Sequence, residues 1–247
     1  MSQFVGQPVG ATAAARSFLQ RRFYFAMSLV VALVVAYGFH FTIGANLFRP
    51  AIRPPAILWV HAAIFMTWLG LFIVQTGLVT TRNVDLHKRL GLAGIALGAA
   101  VFAVGIATIV AMTRFHAAHP APGGNGPAFA IIPFNDMLAF AALFGTAVAL
   151  RRSDREAHRR LMLMATCALT AAGWGRFPTF LIPDGWFYAG VDLLVIIGMA
   201  RDLVVMRRVH PVYLYALPAM IAGQIAAVTI MTTQPAWWMA VVKAIAV

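Results

Sequence analysis

Seven long apolar segments dominate this sequence and constrain its fold more than any other feature. A helix needs about 20 apolar residues to cross the hydrocarbon core of a bilayer, and each segment is long enough to do so. Runs such as residues 27–37 are apolar throughout, whereas the strands of a membrane barrel alternate apolar and polar residues. The sequence therefore predicts an all-α integral membrane protein, a seven-helix transmembrane bundle. The predicted spans are residues 23–46, 56–80, 89–112, 128–150, 159–182, 186–206 and 212–232.

The composition agrees with a membrane chain and excludes an ordinary soluble domain. Of the 247 residues, 62% are hydrophobic and 11% are charged, against about half and about a quarter in soluble domains. Seven spans leave no room for a soluble catalytic domain. We therefore expect residues 1–22 to be a cytoplasmic N-terminal segment and residues 23–247 to form a single membrane domain.

The positive charges lie mostly on one side of the predicted spans. The chain has 19 Lys and Arg residues and a net charge of +12, and fourteen of these cations fall on one side of the membrane and five on the other. The positive-inside rule then places the N-terminus inside and the C-terminus outside. We expect a multi-pass protein of the bacterial cytoplasmic (inner) membrane whose basic loops meet anionic lipid headgroups. This placement explains the charge without a nucleic acid.

Two of the predicted cytoplasmic loops share one pattern. Asp85–Leu90 reads Asp-Leu-His-Lys-Arg-Leu, and Glu156–Leu161 reads Glu-Ala-His-Arg-Arg-Leu. Each has an acid two residues before a His, and each begins a span that runs outward. The pattern favours a four-helix core made of two repeated hairpins, over about residues 55–182.

In His87–Gly91 and His158–Met162 the sequence resembles a family of uncharacterised bacterial multi-helix membrane proteins, in which a His-x-Arg-Leu-Gly and a His-Arg-Arg-x-Met motif each open a helix. The resemblance covers residues 55–180. More distantly, the four-helix core is similar to the transmembrane b-type cytochromes, and this implies haem b held between the two motif histidines. Those cytochromes have a second His pair on the second and fourth spans. Because the fourth span here has no His opposite His61, at most one such haem is implied.

The positions of His87 and His158 have a physical meaning of their own. An imidazole in the first turn of a helix feels the positive end of the macrodipole, which favours the neutral form that binds ligands. Arg89 and Arg160 have the charge to pair with haem propionates, a quinone headgroup or lipid phosphate. The alternative interpretation is that both motifs are basic clusters that fix topology and bind anionic lipid.

A polar layer is predicted near the outer ends of five spans. Polar groups inside a bilayer are costly and therefore mark candidate sites, and the inner halves of the same spans show no comparable set. For Asp192 the sequence predicts a structural ion pair with Arg176, the nearest available cation. The members of the layer are His40, His61, Asn135, Asp136, Arg176 and Asp192.

The outer layer also allows functional interpretations. The imidazoles of His40 and His61 and the carboxylates of Asp136 and Asp192 suit zinc, iron or manganese. The same groups could relay protons to a quinone or a solute. His40 and His61 could instead hold a haem whose propionates meet Arg176. Each residue lies on a different predicted helix, so spacing leaves these alternatives open.

The leading functional hypothesis is a small redox protein or respiratory-chain accessory that binds haem or quinone in its helical core. Two alternatives belong to other classes: a proton- or metal-coupled transporter with an outward-facing polar site, and a structural subunit that packs against other membrane subunits. Transporters often carry helices broken in mid-membrane, and Pro is nearly absent from the middle of these spans. The sequence has no P-loop, dinucleotide fingerprint or nucleophile elbow, so it does not decide whether the protein is an enzyme.

Overall fold

The computed structural model describes residues 9–120 and 126–246, and in these ranges the chain is helical and has no β-strand. Five helical segments are long and apolar enough to cross a membrane. These findings confirm the prediction of an all-helical chain and fit a membrane bundle. Residues 1–8 of the predicted N-terminal segment lie outside the described residues. The α-helices are α1 (Val9–Arg21), α2 (Phe23–His40), α3 (Ile57–Thr80), α4 (Val84–Ala118), α5 (Ile131–Leu150), α6 (Arg155–Ala168), α7 (Ala171–Trp174), α8 (Phe187–Met206), α9 (Pro211–Thr233) and α10 (Ala236–Ala246).

The five apolar segments are α2, α3, α4, α9, and α5 together with the 3-10 turn Pro127–Ala130. Their ends differ from the predicted ones at several places. The first span ends at His40 and is followed by a π-helical turn over Gly44–Phe48. α4 has 35 residues and is therefore about 52 Å long, well beyond the roughly 30 Å of the hydrocarbon core.

The fifth predicted span, residues 159–182, is divided in the structure. α6 ends at Ala168, α7 ends at Trp174, and residues 175–186 are not helical. The hydroxyl of Thr170 donates to the Cys167 carbonyl at 2.6 Å, and such local side-chain bonds compete with regular helix. Pro178 follows, and a proline lacks the N–H that a continuing helix needs.

α6 lies at the centre of the bundle. It packs against α2, α5, α8 and α9, and most of its residues are buried. The α3–α4 pair lies to one side and exposes large apolar side chains such as Met66, Val74 and Leu92. The α3–α4 pair therefore presents the kind of apolar surface that faces lipid in membrane bundles, whereas α6 is shielded from lipid by its neighbouring helices.

Two glycines permit close packing of the helices. A Cβ atom at Gly38 on α2 would lie 2.2 Å from the carbonyl oxygen of Gly173 on α7, and one at Gly98 on α4 would lie 2.2 Å from the ring of Phe144 on α5. Real Cβ atoms do not approach so closely, so a side chain at Gly38 would collide with the backbone of Gly173, and one at Gly98 would require the Phe144 ring to move. Gly98 thus lets α4 approach α5 closely at Phe144.

The C-terminal helix α10 packs against α4 and the 3-10 turn that precedes α5. The indole nitrogen of Trp238 donates to the Ala128 carbonyl at 3.1 Å, and Arg114 Nε donates to the Ile245 carbonyl at 2.8 Å. α10 therefore lies against the end of the bundle that the sequence analysis placed outside.

Candidate functional site

The two motif histidines connect the helices within each repeated hairpin. With its amide nitrogen turned toward His87, Gln75 on α3 donates to His87 Nδ1 at 2.8 Å, and its oxygen accepts from Gly91 N at 3.0 Å. His158 Nδ1 donates to the carbonyl of Ala147 on α5 at 2.8 Å. His87 near the start of α4 is thus bonded to the C-terminal part of α3, and His158 near the start of α6 is bonded to the C-terminal part of α5.

These partners assign opposite tautomers to the two histidines. A carbonyl only accepts, so His158 carries its proton on Nδ1 and leaves Nε2 as an acceptor. His87 Nδ1 accepts from an amide, so its proton is on Nε2. His158 lies close enough to His87 for the two imidazoles to interact electrostatically. In both histidines Nδ1 makes the bond to the neighbouring helix, and Nε2 takes no part in it.

The two motif arginines have different environments. Arg89 is exposed and makes no hydrogen bond to a described residue. Arg160 is fully buried, and its Nε and Nη2 donate to the two carboxylate oxygens of Asp202 at 2.8 Å each. Its remaining donors bind Glu156 and the sulfur of Met206. Since all five N–H groups of Arg160 have partners, the structure leaves none for a propionate, quinone or lipid phosphate.

Asp202 is the centre of an inner cluster that the sequence analysis missed. Besides both bonds from Arg160, it accepts from Arg201 Nη1 at 3.0 Å and from the backbone N–H of His210 at 3.3 Å. Asp202 is fully buried and Arg201 is 4% exposed. Burial and the nearby Arg160 guanidinium lower the pKa of His210, which lies between α8 and α9. The adjacent Arg201 and Asp202 in an apolar segment were the signal that could have revealed the cluster.

In the predicted outer layer, the structure joins α5 to α8. The hydroxyl of Tyr188 donates to Asp136 Oδ1 at 2.8 Å and accepts from Asn135 Nδ2 at 3.2 Å. Asp136 and Tyr188 are buried at 8% and 7% exposure. Tyr188 was not among the predicted members of the layer, although its spacing of four residues from Asp192 places both on one side of α8.

The predicted Arg176–Asp192 ion pair is not formed in the structure, because the two residues face different helices. Asp192 accepts from Gln224 Nε2 on α9 at 3.0 Å. Arg176 Nε donates to Thr42 Oγ1 at 3.1 Å, its Nη1 donates to the Ala172 carbonyl, and its guanidinium lies over the ring of Phe39.

We name Asn135, Asp136, Tyr188, Asp192 and Gln224 the outer polar cluster.

The two outer histidines are not part of this cluster. His40 is exposed, and its Nδ1 donates to the Tyr37 carbonyl at 2.6 Å. His61 stacks on Phe65 with 4.0 Å between the ring centroids, and its buried Nδ1 has no partner among the described residues. Within residues 9–120 and 126–246, no group of three or more His, Cys, Asp or Glu side chains lies close enough together to hold a metal ion. The structure therefore does not gather His40, His61, Asp136 and Asp192 into the predicted metal site.

Comparisons with models of protein families, with curated proteins and with solved structures found no match for this chain. The resemblances carried by the His motifs stay predictions. Two groups of the polar side chains described above lie in the interior or at its edge, and they are the candidate sites: the inner cluster around Asp202 and the outer polar cluster.

Proposed function

We propose that the protein crosses the bacterial cytoplasmic membrane seven times, with its N-terminus inside. The two crossings beyond the five apolar segments are α8, and α6 with α7. α8 has 20 residues, about 30 Å, and its charged side chains Asp192, Arg201 and Asp202 all have protein partners. A transmembrane helix can contain charged side chains when each of them is paired inside the protein.

Reporter fusions after Arg82 and after Val247 test this topology. We expect a cytoplasmic signal from the first and an external signal from the second, because an even number of spans precedes Arg82 and an odd number precedes Val247. Two signals from the same side, or the reverse pattern, would contradict seven spans with an internal N-terminus.

We further propose that the outer polar cluster binds the headgroup of a quinone or quinol, and that the protein serves as an accessory of a membrane redox chain. The observation that carries this proposal is the hydrogen-bonded series Asn135, Tyr188, Asp136 in an apolar interior. Gln224 keeps one amide N–H for a quinone carbonyl, and Asp136 and Asp192 provide acceptors for quinol hydroxyls. Tyr188 holds Asp136 in place through its hydroxyl.

The surroundings of the cluster suit a ligand that arrives through the bilayer. Leu138 on α5 and Leu193 on α8 are each about half exposed. Leu138 is two residues from Asp136 and Leu193 is next to Asp192, so an exposed apolar surface lies close to the polar groups. Asn135 and Asp192 are half-buried and lie at the edge of the cluster. An isoprenoid tail could therefore stay in lipid while the headgroup reaches the donors and acceptors.

The same contacts favour quinone over haem or a metal ion. A haem between the motif histidines would need cations for its propionates, and all N–H groups of Arg160 already bind protein groups. A metal ion would need several ligands together, which the described residues do not provide. In this proposal the protein binds and orients the headgroup, Asp136 and Asp192 exchange the two protons of the quinone–quinol couple, and the partner complex exchanges its two electrons.

Binding of a short-chain quinone to the purified protein, followed by tryptophan fluorescence, tests the site. We expect Asp136→Asn and Tyr188→Phe each to weaken binding about tenfold, as the loss of one hydrogen bond in a buried site does. The matched control is Asp184→Asn, because Asp184 is an exposed acid in the loop before α8. Equal affinity in the wild type, both site variants and the control would overturn the proposal.

Proton-coupled transport is the second candidate function, and the arrangement of acids on α8 favours it. Asp192 and Asp202 lie ten residues apart, about 15 Å along the helix, and the buried Leu194 and Val195 separate them. Proton flux into proteoliposomes, measured with an enclosed pH-sensitive dye, distinguishes the two functions. Transport predicts a flux that Asp192→Asn abolishes, whereas a quinone accessory predicts no flux above that of empty vesicles.

A further inference from the structure

The start of α2 and the start of α6 meet at the inner end of the bundle, where two hydrogen-bond donors have no acceptor. The Nε–H of Arg159 and the hydroxyl of Tyr24 are buried atoms with no hydrogen-bond partner among the described residues. The guanidinium carbon of Arg159 lies 5.0 Å from the centroid of the Tyr24 ring. Both donors therefore belong to one place in the fold.

The charges around these donors do not balance. Arg159 and Arg160 both pair with the same oxygen of Glu156, and Arg160 and Arg201 both pair with Asp202. Three cations thus share two carboxylates, which leaves one positive charge without a counter-ion. Because buried or partly buried cations are stable only when they are paired, this network favours an additional anion.

The unbalanced charge is also accessible. The side chain of Arg160 is 0% exposed, whereas that of Arg159 is 34% exposed. The guanidinium of Arg201 lies 5.7 Å from the centroid of the same Tyr24 ring, so positive charge surrounds the tyrosine. An anion can reach the exposed part of the Arg159 side chain from the surface, and it binds the buried Nε–H and the Tyr24 hydroxyl when these two side chains turn toward it.

We propose that Arg159 and Tyr24 form a binding site for a phosphate group, supplied by an anionic phospholipid or by a soluble phosphate. A phosphate offers separate oxygens to a guanidinium N–H and to a tyrosine hydroxyl, and bonds from charged donors to phosphate are among the strongest hydrogen bonds in proteins. The starts of α2 and α6 lie at the end of the bundle where a phospholipid headgroup would be found. Arg160, which the sequence analysis chose for this role, supports Arg159 through their shared Glu156.

The test measures thermal unfolding of the purified protein in detergent as phosphatidylglycerol is added, with phosphatidylcholine as the zwitterionic comparison. We expect phosphatidylglycerol to stabilise the wild type. In Tyr24→Phe and in Arg159→Gln, the lipid concentration that gives half of the effect should rise about tenfold. Tyr24→Phe keeps the ring beneath Arg159, so it remains informative if Arg159→Gln fails to fold.

The matched control is Arg155→Gln, because Arg155 is exposed at the first position of the same helix and loses the same charge. A response like that of the wild type in this control supports the site. A second arm replaces the lipid with sodium phosphate at constant ionic strength, and an equal effect there identifies a soluble phosphate as the ligand. The proposal is overturned if neither lipid nor phosphate stabilises the wild type, if Tyr24→Phe and Arg159→Gln respond as the wild type does, or if Arg155→Gln loses as much.

Discussion

The two hairpins α3–α4 and α5–α6 share a sequence motif and use its histidine in the same way. His87 on α4 is bound by Gln75 on α3, and His158 on α6 is bound to the carbonyl of Ala147 on α5. In each hairpin the bond joins residues about 12 positions apart across the connecting turn. The histidine of the motif therefore holds the two helices of a hairpin together at the end where the chain turns from one to the other.

The arginine of the motif differs between the hairpins. Arg89 is exposed on α4, at the side of the bundle, whereas Arg160 is buried on α6, at its centre. α6 meets α8, which provides Asp202 as a partner, whereas Arg89 makes no ion pair with a described residue. A repeated motif thus determines the shape of a hairpin, while the position of the hairpin in the bundle determines what its arginine does.

The largest expected difference between the hairpins is the effect of removing each arginine. Arg160→Ala should lower the free energy of unfolding by about 3–5 kcal/mol, because it leaves Asp202 in the interior without its main partner. Arg89→Ala should change it by no more than about 0.5 kcal/mol, as is usual for an exposed residue. Reversible unfolding in mixed micelles of detergent and SDS measures both. Equal effects of the two substitutions would show that the hairpins do not differ as described.

The second prediction concerns a carboxylate that only the second hairpin has. The motif histidines His87 and His158 are 71 residues apart, and the same spacing makes Phe65 of the first hairpin equivalent to Asp136 of the second. Asp136→Ala removes the acceptor of the Tyr188 hydroxyl and should cost about 1–3 kcal/mol, as expected for a buried donor left unpaired. Thr146→Ala is the control on the same helix, because Thr146 is exposed. A cost for Asp136→Ala no larger than that of Thr146→Ala would place Asp136 in contact with water.

A smaller effect is expected where the hairpins resemble each other. His158→Ala and His87→Ala should each cost about 1 kcal/mol, the usual net value of one hydrogen bond. A double-mutant cycle of Gln75→Ala with His87→Ala should give a coupling energy of at least about 0.5 kcal/mol. A coupling energy of zero would mean that Gln75 does not bind His87, and the two hairpins would then be joined differently.

The smallest expected effect is a pH dependence of the inner cluster. The pKa of His210 is lowered by burial and by Arg160, against the opposing effects of Asp154, Asp202 and Glu156. A histidine whose folded-state pKa is depressed stabilises the fold above its unfolded pKa of about 6.5, and this contribution is lost as the pH falls below that value. Unfolding temperatures between pH 8 and pH 5 should fall less in His210→Gln than in the wild type. Parallel curves for the two proteins would contradict this role for His210.

The sequence predicted the helices better than it predicted the contacts between them. The apolar segments gave five of the long helices with approximate bounds, and the motif spacing gave two hairpins that the structure contains. The Arg176–Asp192 ion pair was inferred from proximity along the chain. In the structure the turn before α8 carries Arg176 toward Thr42 while Asp192 faces α9, so closeness in sequence did not produce a contact.

The inner cluster was missed for a related reason. Asp202 lies between Arg201 and a basic stretch, and in the sequence it looks like an ordinary charge at the end of a span. Its main partner, Arg160, is 42 residues away, and no local pattern joins them. The roles of Tyr188 and Gln224 in the outer polar cluster were not predicted either. A tyrosine or a glutamine in an apolar segment carries no charge, so the sequence gives no sign that it needs a partner.

By itself, the sequence determined that this chain is helical and apolar, and that it contains two equivalent hairpins. These properties follow from composition and from spacing along one chain, because helix length and hydrophobic runs are local. Only the tertiary structure decided that Arg160 is a buried ion-pair partner while Arg89 is exposed, and that Asp136 binds Tyr188. Which side chains meet depends on how the helices rotate and pack against one another, and that is fixed by contacts such as those of Gly38 and Gly98 across the whole bundle.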